Sequence, residues 1–134
     1  MKNKKNIPYP ELEAQGIADK KVLKTIRLLR RELFVAPELG KNAYIDAPLP
    51  INCGQTISQP FIVAYMTERL ELKETDKLLE IGTGSGFQTA VLAQLVHQVY
   101  TIEIHQKLSY QAQQVLNKLG FKNIKYQVAD GKLG

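Results

Sequence analysis

The chain has 134 residues, 44% of them hydrophobic, which fits one globular domain with a single core. The formal net charge is +5, but residues 1–31 alone carry nine Lys and Arg against three Asp and Glu. Because residues 32–134 are nearly neutral, with nine basic and ten acidic residues, nucleic-acid binding is not expected as the main function.

Cysteine usage and hydropathy exclude several further classes. The single cysteine, Cys53, has no partner for an internal disulfide and no Cys or His neighbour at metal-ligand spacing. No apolar run reaches the roughly eighteen residues of a membrane span, and the N-terminal M-K-N-K-K-N lacks the apolar core of a secretory signal. We therefore expect a cytoplasmic protein without a metal ion, a nucleic-acid partner or a membrane partner.

The first half of the chain predicts one amphipathic helix followed by a long loop. Residues 1–9 are expected to be mobile, because prolines interrupt any early helix. Asp19 is a suitable N-cap for a helix that should end before Pro37. Residues 37–57 contain three prolines and two glycines, and ordered loops of this length are uncommon unless they bind something. The apolar positions of the helix are Val22, Leu23, Ile26, Leu29 and Leu33.

The stretch K-L-L-E-I-G-T-G-S-G, residues 77–86, predicts a strand that runs into a glycine-rich loop. Gly82, Gly84 and Gly86 stand at alternate positions, and helix-forming residues follow. A strand, a glycine turn and a helix in series are typical of a nucleotide-type site. Phe87 stands where the dinucleotide fingerprint needs a glycine, and no Gly-Lys-Ser/Thr of a phosphate loop follows. The pattern therefore disfavours both phosphate-binding motifs.

Glu80 lies two residues before the first glycine, where a carboxylate suits a ligand that carries positive charge. S-adenosylmethionine carries a sulfonium and an ammonium group and no phosphate. The order E-x-G-x-G-x-G resembles the first motif of the methyltransferases that use this cofactor. The alternative is a tight glycine turn that binds no ligand.

Two further strands and a helix follow the loop. Residues 98–104 are rich in β-branched and aromatic residues, and Glu103 lies near their end, 21 residues past Gly82, where α/β nucleotide folds hold ribose hydroxyls. The alternative for Glu103 is an exposed acid at a strand end. A last predicted strand ends just before Asp130. The alternation predicts a parallel, doubly wound sheet whose carboxyl ends bring Glu80, Glu103 and Asp130 to one edge.

Ser58 lies in the stretch G-Q-T-I-S-Q-P, just before a helical pattern that begins near Pro60. Its place on the rim of that helix fits either a functional hydroxyl or a local helix cap. Together with the glycine loop, this stretch makes the chain resemble the protein-L-isoaspartate O-methyltransferases. The glycine motif alone is typical of methyltransferases in general, whereas T-I-S-Q-P and the aromatic-Asp-Pro stretch point to this family. The resemblance rests on R-R-E-L-F-V (30–35), A-Y-I-D-A-P-L-P-I (43–51), G-Q-T-I-S-Q-P (54–60), L-L-E-I-G-T-G-S-G-F-Q-T-A-V-L-A (78–93), Y-T-I-E (100–103) and A-D-G (129–131).

The resemblance implies a fold, a reaction and a set of site residues. The fold is the Rossmann-like, S-adenosylmethionine-dependent methyltransferase fold, an α/β fold of which this chain holds the N-terminal half, with N-terminal helices. Residues 1–57 form the helical and loop extension, and residues 58–134 form the partial methyltransferase domain. Ser58 would be the active-site serine that helps hold the isoaspartyl group. The implied cofactor-binding residues are Ile57, Glu80, Gly82, Thr83, Gly84 and Ser85, Glu103 at the ribose, and Asp130 and Gly131 at the adenine.

The implied reaction is protein repair. A methyl group passes from S-adenosylmethionine to the side-chain carboxylate of an isoaspartyl residue, and the ester cyclises to a succinimide that hydrolyses partly to normal aspartate. The partners are isoaspartyl-containing proteins and peptides. Two alternatives stay open: a cofactor-binding fragment without activity, and a methyltransferase that acts on a small molecule or a nucleic acid.

The family continues beyond the third strand, whereas this chain ends at Gly134. In the family's strand order, the first strand would then lie at an unpaired edge of the sheet. A long apolar edge is a site for pairing with another chain. We therefore expect either self-association through this edge or marginal stability.

Overall fold

The computed structural model describes residues 9–130, which form a three-stranded parallel sheet, a short antiparallel strand pair and four α-helices. Three 3-10 helices, Arg31–Phe34, Pro37–Asn42 and Asn52–Gly54, connect the elements of the first half. The predicted order of strand, helix, strand, helix and strand in the second half is confirmed. In chain order the elements are α1 (Lys20–Arg27), β1 (Leu49–Pro50), β2 (Thr56–Ile57), α2 (Pro60–Arg69), β3 (Lys77–Ile81), α3 (Phe87–Ala93), β4 (Gln98–Glu103), α4 (Gln106–Lys118) and β5 (Ile124–Val128).

The chain enters the core at its first described residue. Tyr9 is fully buried, and its ring packs against that of Tyr44 with 5.3 Å between the ring centroids. The mobility expected of residues 1–9 is therefore wrong for Tyr9, because its aromatic ring is fixed by packing. Residues 1–8 lie outside the described part of the chain.

Helix α1 begins where the sequence predicts but ends earlier. The Asp19 carboxylate accepts hydrogen bonds from the backbone N–H groups of Lys21 and Val22, which confirms it as the N-cap. The helix ends at Arg27, because the backbone at Arg30 is extended (φ −91°, ψ 97°) and directs the next residues into a separate 3-10 helix. The continuation of the helix expected up to residue 33 is wrong.

Residues 37–57 are more ordered than a plain loop. Strands β1 and β2 pair antiparallel, with Leu49 opposite Ile57, and both side chains are buried. The turn between the strands contains Cys53 at φ 61° and Gly54 at φ 67°, two consecutive left-handed residues that reverse the chain. The strand pair therefore delivers Ser58 to a defined place between β2 and α2.

The main sheet has the strand order β3-β4-β5, and all three strands are parallel, as predicted. Leu78 and Val99 lie on the face that packs against α3, whereas Leu79 and Ile81 on the opposite face are 55% and 63% exposed. Since the strand order advances in one direction, right-handed crossovers bring both α3 and α4 to the same face. The second helical layer of a doubly wound sheet is therefore absent from residues 9–130.

One hydrophobic cluster joins the N-terminal region to the sheet. It contains Leu23 and Ile26 of α1 together with Phe87 and Val91 of α3. The cluster thus crosses the boundary expected between residues 57 and 58, and that boundary stays a prediction. None of the helices found in residues 9–130 has the length and apolar character needed to cross a membrane.

Candidate active site

The loop between β3 and α3 requires glycine at three positions. Gly82, Gly84 and Gly86 have φ values of 93°, 55° and 90°, which residues with a Cβ rarely adopt. A Cβ at Gly86 would lie 3.2 Å from the Cβ of Ala112, so this glycine lets α4 pack against the loop. A Cβ at Gly82 would meet nothing within 4 Å, and one at Gly84 would meet only Ile51 Cδ1 at 3.9 Å. The loop therefore presents bare backbone to open space at Gly82 and Gly84.

Three consecutive backbone N–H groups of this loop donate inside the protein. Those of Gly82 and Thr83 donate to the Ile102 carbonyl at 2.7 and 3.2 Å. The N–H of Gly84 donates to Oε1 of Glu103 at 2.8 Å. A loop that cradles phosphate needs such groups as free donors. Their internal use agrees with the inference that the ligand is not held through a phosphate.

Glu103 and Asp130 lie at the same end of the sheet. Glu103 is 5% exposed, and its second oxygen, Oε2, accepts from the His105 N–H at 3.0 Å. The Ala129 N–H donates to the Glu103 carbonyl at 3.0 Å, which brings the chain after β5 beside the end of β4. Asp130 follows and is exposed. Glu103 and Asp130 therefore lie at the same end of the sheet as the glycine loop, as expected. Gly131 lies outside the described residues.

The Glu80 carboxylate is used inside the protein. Its Oε1 accepts from the hydroxyls of Thr89 at 2.5 Å and Thr101 at 2.7 Å, which ties β3 to α3 and β4. The pKa of Glu80 is raised to about 7: burial is the main cause, the two threonine hydrogen bonds partly oppose it, and the Glu103 charge adds to it. A contact between Glu80 and a cationic ligand stays a prediction, because its hydrogen bonds in this structure are to threonines.

We expect the stability of the protein to fall as the pH rises from about 4.3 to about 7, and Glu80→Gln to remove most of that dependence. The folded pKa of Glu80 lies above its unfolded value, so its contribution is fully present below the unfolded pKa and lost as pH passes the folded pKa, near 7. The loss between pH 5 and 8 should be about 2 to 3 kcal/mol. Urea unfolding at both pH values measures it, and Glu74→Gln, at an exposed position, is the control. Equal pH slopes for wild type and Glu80→Gln would contradict the prediction.

Three other predicted cofactor residues make contacts of their own. Thr83 is 4% exposed, and its hydroxyl donates to that of Thr101 at 2.6 Å, since Thr101 itself donates to Glu80. The Ser85 Oγ accepts from the first N–H of α3 at 3.2 Å. The Ile57 side chain packs in the hydrophobic core. Contacts of these residues with a ligand stay predictions, and for Thr83 and Ile57 they would have to involve the backbone.

Ser58 presents a free hydroxyl. Its side chain is exposed and makes no hydrogen bond to any residue between 9 and 130. Gln59, the N-cap residue of α2, provides no side-chain cap, and Asp46 instead accepts from the Phe61 N–H at 2.9 Å. The alternative in which Ser58 caps this helix is therefore wrong, because a residue from another part of the chain does so.

Two residues that hold this region were missed by the sequence analysis. Arg31 is fully buried and donates to backbone carbonyls, among them that of Ser58. In the sequence Arg31 stands between the apolar positions Leu29 and Leu33 of the predicted amphipathic helix, where a basic residue is expected on the exposed face, and nothing in the pattern marks it as buried. Asp46 lies in A-Y-I-D-A-P, a stretch that carried the family resemblance, but its capping of α2 depends on a tertiary contact.

A groove of about 540 Å³ reaches the glycine loop at Gly84 and Ser85. Its other walls come from residues 33–39, from Ile51 and from α4. Neither Ser58 nor Glu103 lines this groove. It therefore adjoins the candidate site without connecting the serine to the end of β4.

Comparisons with known proteins agree with the geometry. The sequence profile of the protein-L-isoaspartate(D-aspartate) O-methyltransferase family matches residues 2–134. Protein-L-isoaspartate O-methyltransferase 1 of Syntrophobacter fumaroxidans (strain DSM 10017 / MPOB) is 54% identical over 124 residues, which cover 92% of this chain and 58% of that protein. The chain spans little more than half the length of the curated relatives it matches.

Solved structures show the same relationship. A protein-L-isoaspartate O-methyltransferase matches with a TM-score of 0.78 at 27% identity, over 90% of this chain and 40% of that chain. A Plasmodium falciparum protein assigned to the same family, in complex with S-adenosyl-L-homocysteine, matches with a TM-score of 0.76 at 25% identity, over 94% of this chain and 62% of that chain. The Rossmann-like methyltransferase fold is thereby confirmed. The chain belongs to the protein-L-isoaspartate(D-aspartate) O-methyltransferase family.

Proposed function

We propose that this protein methylates the free side-chain carboxylate of L-isoaspartyl residues in damaged proteins, with S-adenosylmethionine as the methyl donor. Family membership and the names of the relatives support the proposal. The observation that carries it is the glycine loop, where Gly82 and Gly84 are bare toward open space while their N–H groups donate inside the protein. Such a loop suits a nucleoside ligand without phosphate that comes close to the backbone.

The residues at the carboxyl edge of the sheet would hold the cofactor, which supplies a methyl group activated by the sulfonium. Gly82 and Gly84 leave room for close approach. Glu103 would accept from the ribose hydroxyls, and its carboxylate is already held in place by the N–H groups of Gly84 and His105. Asp130, at the neighbouring strand end, would lie against the adenine.

Ser58 would act on the other substrate as a hydrogen-bond donor. An isoaspartyl carboxylate has a pKa near 4, so at neutral pH it is already an ionised nucleophile and needs no general base. The chain must therefore hold the carboxylate oxygen in line with the methyl carbon at about 3 to 3.5 Å. The exposed hydroxyl of Ser58, which no residue between 9 and 130 engages, is suited to this task.

Calorimetric titration with S-adenosylhomocysteine beside a methylation assay tests the proposal. The assay compares an isoaspartyl peptide, the same peptide with normal aspartate, and an RNA oligonucleotide. We expect cofactor binding and transfer to the isoaspartyl peptide alone. Transfer to RNA would overturn the substrate class, and binding without any transfer would leave a cofactor-binding protein.

A cytoplasmic location belongs to the same proposal. The exposed, unpaired Cys53 suits a reducing compartment. Cell fractionation followed by immunodetection tests it, and recovery in a membrane or secreted fraction would contradict it.

The free edge of β3 supports a further partner, a second copy of the chain. Within residues 9–130 this strand pairs only with β4, and Leu79 and Ile81 are more than half exposed. We infer that two β3 edges pair antiparallel about a two-fold axis, which would join two three-stranded sheets.

Sedimentation velocity should show a monomer–dimer equilibrium over a roughly hundredfold range of concentration. Ile81→Lys places a charge on the edge strand β3 and should shift the protein to the monomer. Ile45→Lys, at a residue that is 54% exposed outside the sheet, should not. A monomer at every concentration of the wild-type protein would contradict the inference.

A further inference from the structure

We propose that Arg31 is a positioning residue for Ser58, which it holds through a buried set of backbone carbonyls; this rests on the proposed function. The Nη2 atom of Arg31 donates to the carbonyls of Ser58 at 3.1 Å and Ala47 at 2.9 Å. Its Nη1 atom donates to the carbonyls of Ala43 at 2.8 Å and Ile45 at 3.2 Å. One planar guanidinium therefore joins the turn around Ile45 to the backbone of the serine.

Burying the Arg31 guanidinium costs desolvation free energy, and what the protein gains is a fixed arrangement of the backbone around it. The residue is 0% exposed, its Nε has no partner within the described chain, and burial lowers the pKa of its guanidinium. Its four acceptors are carbonyls, whereas the ion pairs of residues 9–130 are made by Arg27 and Arg30. An apolar side chain of similar volume would fill the space at lower electrostatic cost. A rigid group with five donors instead fixes four carbonyls relative to one another.

The turn held by this guanidinium also contains Asp46, which restrains the backbone beyond the serine. The Oδ1 atom of Asp46 accepts from the Phe61 N–H in the first turn of α2 at 2.9 Å. Before the serine, Ile57 pairs with Leu49. The backbone around Ser58 is therefore held before the serine by strand pairing, at the serine by Arg31 and after it by Asp46.

Replacing Arg31 with lysine keeps the charge but loses the planar donor geometry. We expect kcat for an isoaspartyl peptide to fall about tenfold or more, since misplacement of about 1 Å costs up to about 10²-fold. The affinity for S-adenosylhomocysteine should stay within about twofold, because the hydrogen bonds of Arg31 reach no residue of the glycine loop.

The experiment measures kcat and KM per folded molecule, cofactor affinity by calorimetry, and hydrogen exchange of residues 56–61. Arg30→Lys is the matched control, because that side chain is 70% exposed and makes only a 3.5 Å contact with Glu32. Val96→Ala, at a buried position that packs in one cluster with Leu92 and Val99, is the control for lost stability alone. Both controls should keep the wild-type kcat per folded molecule.

A tenfold fall in kcat with unchanged cofactor affinity in Arg31→Lys, absent from both controls, supports the proposal. A kcat per folded molecule within twofold of wild type overturns it while leaving the proposed function intact. If the wild-type chain binds the cofactor but transfers no methyl group, the proposed function fails instead. In that case hydrogen exchange tests the role of Arg31. Faster exchange of residues 56–61 in Arg31→Lys but not in Arg30→Lys supports the proposal that Arg31 restrains this segment, and equal exchange in wild type and Arg31→Lys overturns it.

Discussion

Alanine at Gly82 should weaken cofactor binding about tenfold or more and also destabilise the fold, whereas alanine at Gly120 should only destabilise it. The two glycines have nearly the same φ, 93° and 91°, and a Cβ at either would meet nothing within 4 Å. The backbone strain of each substitution is therefore matched, at about 1 to 2 kcal/mol. The two glycines differ in location, since Gly82 belongs to the loop proposed to bind the cofactor and Gly120 follows the end of α4.

Thermal or urea unfolding measures the loss of stability that both substitutions should cause. Titration with S-adenosylhomocysteine measures the loss of cofactor affinity that only Gly82→Ala should cause. Gly86→Ala completes the series. It has the same positive φ, but its Cβ would come within 3.2 Å of side chains on α4, so we expect the largest loss of stability of the three. Equal cofactor affinity in Gly82→Ala and Gly120→Ala would show that the ligand does not use the bare backbone at Gly82.

Ser58→Ala should lower kcat for an isoaspartyl peptide about 10- to 100-fold without changing cofactor affinity. A hydrogen bond to a charged group contributes about 1.5 to 3 kcal/mol, and here it would be made to the carboxylate that attacks. The fold should lose little stability, because the hydroxyl makes no hydrogen bond within residues 9–130.

Ser58→Thr is the matched variant, because it keeps a hydroxyl at the same place and should recover part of the rate. Steady-state kinetics with the isoaspartyl peptide and calorimetry with S-adenosylhomocysteine check both variants. Undiminished methylation by Ser58→Ala would remove the serine from the mechanism. A loss of cofactor affinity equal to the loss of rate would move its role to the cofactor.

The parts predicted correctly from sequence are those specified by local patterns. Gly82, Gly84 and Gly86 at alternate positions mark a turn with positive φ, and the structure has such a turn. Parallel pairing of β3, β4 and β5 follows from the alternation of strands with helices, and it brings Glu103 to the loop, where its carboxylate accepts from Gly84.

The parts that were missed depend on tertiary contacts. Arg31 has the sequence environment of an exposed basic face, but the extended backbone at Arg30 turns it into the interior. The capping of α2 by Asp46 joins residues 15 positions apart. Glu80 was assigned to a ligand from its charge and from the E-x-G-x-G-x-G motif, and only the structure shows two threonine hydroxyls on its carboxylate. The charge of a residue can be read from sequence, whereas its partner cannot.

The internally satisfied N–H groups of the glycine loop bear on the kinetics of ligand binding. A loop whose donors are already paired with Ile102 and Glu103 has no need of a ligand to become ordered. Little conformational entropy is then lost on association, and binding resembles entry into a preformed cradle more than induced fit. If the cofactor binds at Gly82 and Gly84 as proposed, its release needs no reopening of the loop, and its residence time would depend on how well it packs against these two glycines.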